Sequence, residues 1–178
     1  TAQSETVVNG QKKWYGGVKS TYDHGGVGGV LTAERSSYGI NCWVYNPPHG
    51  VAAIQGRESA KHWRRPGTAR QPHRVPVMLD SMWRGGGPDN DARYAIRTPD
   101  YEGQWAGYDK EMMHFAFDRH EGGINAAMMD GSARPIPIKS LWTYRWHNDY
   151  TPSVGLAQVQ GRWPGWMEEY PEPSRPRD

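Results

Sequence analysis

The chain has 178 residues, with 21 basic and 19 acidic side chains, 22 Gly, 14 Pro, 9 Trp, 10 Tyr and a lone Cys. That length suits one ordinary domain built on one core, and so even a charge balance excludes an electrostatic footprint for nucleic acid or an anionic membrane. Mean hydropathy of −0.88 and 36% hydrophobic content approach the disordered range, but disordered chains are poor in aromatics and each ring buries a large area, so the chain reads as folded, loop-rich and mostly β.

Cys42 alone permits neither an internal disulfide nor a multi-Cys zinc site. In "SSYGINCWVYNPP" it reads as an inert thiol inside a strand. No apolar run approaches the ~18 residues that a membrane-spanning helix needs. The opening "TAQSETVVNG" has neither the basic nor the apolar region of a signal peptide. Thr1 in place of Met points to processing or truncation.

In chain order, the glycines of "DHGGVGGV" (23–30) are not spaced as a phosphate-cradling loop, and no helix pattern follows them, so they read as a loop. "SYGINCWVYN" (37–46) and "RVPVMLDSMW" (74–83) are rich in β-branched and aromatic residues and bounded by turn formers, which predicts strands. Between them, "GRESAKHWRR" (56–65) suits about two helical turns ended by Pro66-Gly67. The basic stretch "HWRRPGTARQPHR" (62–74) reads as a solvated loop, with a phosphate- or polyanion-binding loop as the alternative. The polar segment 84–111 reads as an excursion over the surface.

"EMMHFAFDRH" alternates Met113, Phe115 and Phe117 against His114, Ala116, Asp118 and His120, which predicts a strand. Gly122-Gly123 would then supply the turn and 124–138 would return. A three-residue loop pairs His120 with Ile124 and His114 with Asp130, while a four-residue loop shifts every pair, so both registers stay open. Pro135 and Pro137 place the returning strand at a sheet edge. Leu141, Trp142 and Trp146 fall at helical spacing, making an aromatic stripe with Pro152 as its stop. A helical turn around Trp166 and Met167 precedes a Pro-rich tail, so a single domain over 1–170 and a tail over 171–178 are expected.

Three chemistries are available to these residues. His114, Asp118 and His120, with Asp130 across from them, offer alternate-position ligands for a zinc-like ion with a nucleophilic water. The sequence contains no HExxH or Ser elbow to accompany them, so an ordered structural cluster is the preferred reading. Asp89 and Asp91, with Asn90 between them, are oxygen donors of the kind Ca²⁺ takes, but without the spacing of a calcium loop. Trp83, Trp105, Trp163 and Trp166 form a candidate stacking platform for glycans, against the reading that they cover a small core.

His120, nine residues, then Asp130-Gly131 resembles the motif that names the H-X9-DG prepilin-type, processing-associated proteins, pilin- or pseudopilin-like proteins abundant in planctomycetes. "SSYGINCWVY", "VPVMLDSMWRGGGP", "DRHEGGINAAMMDGSARPIPIKSLWTYRWH" and "RWPGWM" resemble further stretches of that family in one order, from about residue 36 to 167. The resemblance implies an α+β, mostly antiparallel β fold: a pilin-like globular head with long loops and a few short helices, which packs on an N-terminal pilin helix that this chain lacks. It implies a non-enzymatic structural subunit of a type IV pilus-like or type II secretion pseudopilin-like assembly, located outside the cell, on its surface or in the periplasm. Its partners would be like subunits or other pilin-like proteins, with membrane contact only through the N-terminal helix and no role for nucleic acid. His120, Gly122, Gly123, Asp130 and Gly131 would be structural motif residues. No cofactor is implied beyond a structural Ca²⁺ of the kind some major pseudopilins carry. The alternative function is a surface-displayed ligand- or glycan-binding head using the loop tryptophans.

Overall fold

The computed structural model describes residues 5–8, 11–14, 21–24, 34–90, 108–159 and 163–173. Four short strands, β1 (Glu5–Val8), β2 (Gln11–Trp14), β3 (Tyr22–His24) and β4 (Glu34–Ser36), pair in sequence order as an antiparallel ladder. Then follow β5 (Tyr38–Asn41), a small hairpin of β6 (Ala53–Ile54) and β7 (Arg57–Glu58), β8 (Pro76–Asp80), β9 (Gly85–Gly86), β10 (Gly123–Met128) and β11 (Ala133–Pro137). The main sheet runs β11-β10-β8-β5-β9, antiparallel except for the β5–β9 pair. A helix, α1 (Pro152–Val159), and several 3₁₀ turns complete the described residues. The fold is α+β and mostly antiparallel β, as composition and resemblance predict.

Strand alternation divides this sheet into two faces. Leu79, Ile124, Ala126, Met128 and Ile136 point into the core, where Met112, Phe115, Phe117, Leu141, Trp142, Trp146 and Tyr150 cover them. Rings do most of the filling, and buried indoles must place their N–H groups. Trp146 donates to the Leu141 carbonyl at 3.0 Å while its ring stacks on Phe115 at 5.2 Å. The Trp146 carbonyl in turn accepts the Trp63 indole N–H at 3.0 Å and the Asn41 amide at 2.9 Å. Asn41, fully buried, also donates to Pro76 O and accepts from the Trp43 N–H. It thereby ties β5, β8 and the segment after the aromatic stripe together.

Several sequence expectations give way here. Residues 112–118 are not a strand: Tyr108–His114 is a 3₁₀ turn, and Met112 and Phe115, three apart on one side of it, both enter the core. Gly122-Gly123 is therefore not the hairpin turn. The hairpin is β10–β11, paired Ile124 with Ile136 and Ala127 with Ala133, and it closes at Asp130-Gly131. The expected pairs His120–Ile124 and His114–Asp130 do not form. β11 is the edge strand that its two prolines require.

The stretch 84–111 is not wholly an excursion, since Gly85, Gly86, Gly87 and Pro88 are buried and β9 lies inside the fold. A Cβ on Gly85 would sit 2.6 Å from the Ile40 carbonyl oxygen, and one on Gly86 2.9 Å from Glu111 O. These glycines permit close backbone approach rather than loop freedom. The two helical turns expected over 56–65 shrink to one 3₁₀ turn, Ser59–Lys61, because the Trp63 N–H is drawn out to Trp43 O at 2.8 Å. Leu141 and Trp142 lie on a 3₁₀ turn, Ile138–Thr143, that ends before Trp146, and Pro152 starts α1 instead of stopping a helix. Trp166 and Met167 do form a turn, Gly165–Met167. The loop 25–30 lies outside the described residues.

Gly39 is the tightest backbone approach in the main sheet, since a Cβ there would strike the Trp83 carbonyl oxygen and lie 2.7 Å from Ser81 Oγ. Gly39→Ala is expected to cost at least about 2 kcal/mol by overpacking. Gly67→Ala, in open space, should stay within about 0.5 kcal/mol. Urea unfolding of the two variants checks this, and equal midpoints would overturn it.

Candidate functional site

His120 and its neighbour Arg119 converge on a carboxylate that sequence reasoning passed over. Asp80 ends β8 and is 1% exposed, yet it carries a charge that burial makes costly unless paired and hydrogen-bonded. Its Oδ2 accepts the Asn125 N–H at 2.7 Å and lies 2.9 Å from His120 Nε2. Its Oδ1 lies 3.5 Å from Arg119 Nη1. That guanidinium also donates to Ser37 O at 2.8 Å and sits 4.8 Å over the Phe117 ring. Arg119 and His120 are thus neighbours in sequence that clamp the two oxygens of one buried acid.

The loop that presents them is shaped by its own backbone. Glu121 (φ 51) and Gly122 (φ 101) are both left-handed, which reverses the chain within two residues. Asp118 Oδ1 accepts the Gly122 N–H at 2.6 Å, the His120 N–H reaches Gly123 O at 3.1 Å, and the Ile138 N–H reaches Gly122 O at 3.0 Å. Asp118 Oδ2 accepts the Tyr170 hydroxyl at 2.7 Å, and burial together with this bond pushes the Tyr170 phenol up to about 12. The C-terminal turn is thereby pinned beside the motif.

Asp130 and Gly131 lie at the far end of β10. Gly131 (φ 85) donates to Met128 O at 3.0 Å, Met128 donates to Ser132 O at 2.8 Å, and Asp130 Oδ1 accepts both the N–H and the hydroxyl of Ser132. The Ser132 bonds hold the exposed Asp130 carboxyl below its ordinary value. His120 and Asp130-Gly131 therefore bracket a single strand: one end is tied to β8 through Asp80, and the other makes the tight turn. The nine-residue spacing is the length of that strand with its two approaches. The Asp-Gly pair is itself the strongest short hairpin signal, and could have located the turn from sequence.

The other candidates do not assemble. His114 Nδ1 lies 2.8 Å from Gly85 O, Asp118 binds Gly122 and Tyr170, and His120 binds Asp80, so the proposed three-residue metal face is dispersed. Asp89 is already engaged by Lys61 Nζ at 2.9 Å, His147 Nε2 at 3.0 Å and the Asn90 N–H at 2.7 Å. Burial opposes its charge, but these partners outweigh it and hold the carboxyl well below the usual range. Asp91 lies outside the described residues. Among the described residues no group of three or more His, Cys, Asp or Glu is arranged to hold a metal ion. Burial pushes the Cys42 thiol up to about 11, a thiol rather than a thiolate at neutral pH.

Trp83 is buried, Trp163 donates to Glu172 at 3.1 Å, Trp166 is half-buried against Tyr170, and Trp105 lies outside the described residues. Glu172 also binds the buried Lys139 at 2.5 Å, which anchors the start of the tail. A second buried acid, Glu111, receives Arg57 Nη2 and the Gly87 N–H, so the glycine run is held by a charge as well as by close packing.

Compared with family models, curated proteins and solved structures, the chain matches none of them.

Asp80→Ala would leave the Asn125 N–H and Arg119 without their acceptor, a loss expected to cost about 3 kcal/mol. His120→Ala, which removes a half-exposed partner, should cost only about 1 kcal/mol. Urea unfolding reads both, and an Asp80→Ala midpoint equal to wild type would sink the assignment.

Burial, opposed in part by the Gly85 carbonyl, holds the His114 imidazole below its ordinary pKa. The unfolded chain then binds the extra proton first, so stability is full above about pH 6.5 and falls as the pH drops below it. Unfolding free energy measured at about pH 7.5 and 5.5 should decline, and less steeply in His114→Gln. An identical decline in that variant would count against His114 as the source.

Proposed function

We propose that the chain is a non-enzymatic structural subunit of an extracellular or periplasmic type IV pilus-like or type II secretion pseudopilin-like assembly, with like subunits as its partners. The observation that supports this reading is the outer face of the five-stranded sheet. Register places Ile40 opposite Met78, Met78 opposite Ala127, and Ala127 opposite Ala133, so one apolar row crosses β5, β8, β10 and β11. Met78 is 50% exposed, Ile40 37% and Tyr38 52%, and Ala127, Ala133, Pro135 and Pro137 are exposed as well.

A contiguous apolar surface of this kind marks an interaction face. A helix laid along this row is the packing that the family resemblance implies for a pilin helix. Asp80 lies two residues beyond Met78 on the same side of β8, so the His120–Asp80–Arg119 cluster borders the face. The motif residues would then fix the two ends of β10 where an assembly contact is made. No described helix is long and apolar enough to cross a membrane.

A native cell carrying Ile40→Glu and Met78→Glu together should lose the assembled form of the protein, read by sedimentation of the filament fraction. The purified double variant should unfold within about 1 kcal/mol of wild type, since both positions are exposed. Assembly at wild-type levels, or no assembled wild-type protein at all, would overturn the proposal.

A further inference from the structure

Away from the sheet face, a cleft of about 230 Å³ is lined by Asn46, Pro47, His49, Arg64 and Arg65. Its two walls come from distant parts of the chain and are fastened together. The Trp63 N–H donates to Trp43 O at 2.8 Å, and His62 Nδ1 lies 3.1 Å from Tyr45 O. The His62 ring also contacts Trp43 at 5.1 Å and Tyr45 at 5.0 Å. Pro47, buried, stiffens one wall. The Thr68 N–H and hydroxyl both bind Arg65 O, at 3.0 and 2.9 Å, and stiffen the other.

The cleft combines positive charge with spare hydrogen-bonding groups. Arg64 rests Nε and Nη2 on Ser59 O at 3.4 and 3.3 Å, which orients the guanidinium and leaves Nη1 without a partner among the described residues. Among the described residues, the side chains of Arg65, His49 and Asn46 have no protein partner and no carboxylate lines the cleft. Four cations elsewhere are matched by acids: Arg57 by Glu111, Arg119 by Asp80, Lys61 by Asp89 and Lys139 by Glu172. Arg64 and Arg65 are adjacent charges gathered into one concavity with no acid among the described residues.

We propose that this cleft binds a phosphate ester, with Arg64 and Arg65 on the charged oxygens and Asn46 and His49 on the remaining polar atoms. Arginine forks suit phosphate oxygens in geometry and charge, and two positive charges match a doubly charged ester better than a carboxylate. The volume is many times the ~10–15 Å³ that one water needs on the same measure, so it admits a small organic group, such as a sugar, beyond the phosphate. The basic stretch 62–74 thus divides: Trp63 belongs to the core, and Arg64 and Arg65 form the site. This inference stands independently of the filament reading.

The test is a heteronuclear NMR titration of the whole chain at low salt with inorganic phosphate, glucose 6-phosphate and acetate. Saturable shifts confined to residues 46–49 and 63–66, with a dissociation constant near about 1 mM, are expected for both phosphates and not for acetate. Arg64→Gln with Arg65→Gln should weaken binding at least about tenfold, while Arg70→Gln, a control in the same basic stretch, should leave it unchanged. Tighter binding of glucose 6-phosphate would seat the sugar in the cleft, and equal affinities would limit the site to the phosphate group. Equal weakening by Arg70→Gln, equal binding of acetate, or no saturable shift would overturn the proposal. Melting temperature of the double variant, both of whose sites are exposed, separates loss of the site from loss of the fold.

Discussion

A buried carboxylate with three partners governs the middle of this fold. Asp80 loses its water at the end of β8, and that desolvation is offset by the Asn125 N–H and Arg119, with half-exposed His120 adding a smaller share. Their arrival sets where β10 begins, because Asn125 belongs to it, and where the preceding loop must turn, because Arg119 and His120 are adjacent. Glu121 and Gly122 take left-handed conformations in that loop. The Tyr170 hydroxyl and Ile138 N–H then close around it. A slip of β10 by one residue would detach the Asn125 N–H from Asp80 and turn Ile124 and Ala126 out of the core.

The remainder of the core depends on aromatic rings replacing aliphatic bulk. Large flat side chains need backbone to come close around them, and glycines allow it. Gly86 sits against the Phe115 ring and Gly87 beside the Trp43 indole, while Gly39 and Gly85 let the backbone carbonyls of Trp83 and Ile40 come close. Indole N–H groups create a second demand, met by carbonyls at irregular positions: Leu141, Trp146 and Pro88.

The same economy gives the two surfaces of interest their character. On the outer sheet face, alternation leaves Ile40, Met78, Ala127 and Ala133 without cover, bordered by the charged cluster at Asp80. In the cleft by Pro47, contacts between Trp43 and Trp63 and between Tyr45 and His62 bring arginines to a place with no acid among the described residues. Both surfaces are by-products of how the aromatic core holds its strands.

Much of the core was legible because it rests on local chemistry. β-branched and aromatic runs in 37–46 and 74–83 marked β5 and β8 within them, and the prolines marked β11 as an edge; Leu141, Trp142 and Trp146 are buried as expected, though not on the helix their spacing suggested. The motif residues His120, Asp130 and Gly131 were also visible as a set. What the residues alone left undetermined was decided by partners far away in the chain. Nothing near Asp80 names Arg119, His120 or Asn125, some 40 residues on. Nothing in "EMMHFAF" says that a 3₁₀ turn will feed Met112 and Phe115 into the core in preference to a strand. The glycines 85–87 look like a loop until β5, Glu111 and Arg57 close upon them. Composition and spacing by themselves determined a folded, aromatic-rich and mostly β chain. Only the tertiary structure decided which polar side chains are buried, because the cost of burying a charge is met by groups that sequence proximity does not reveal.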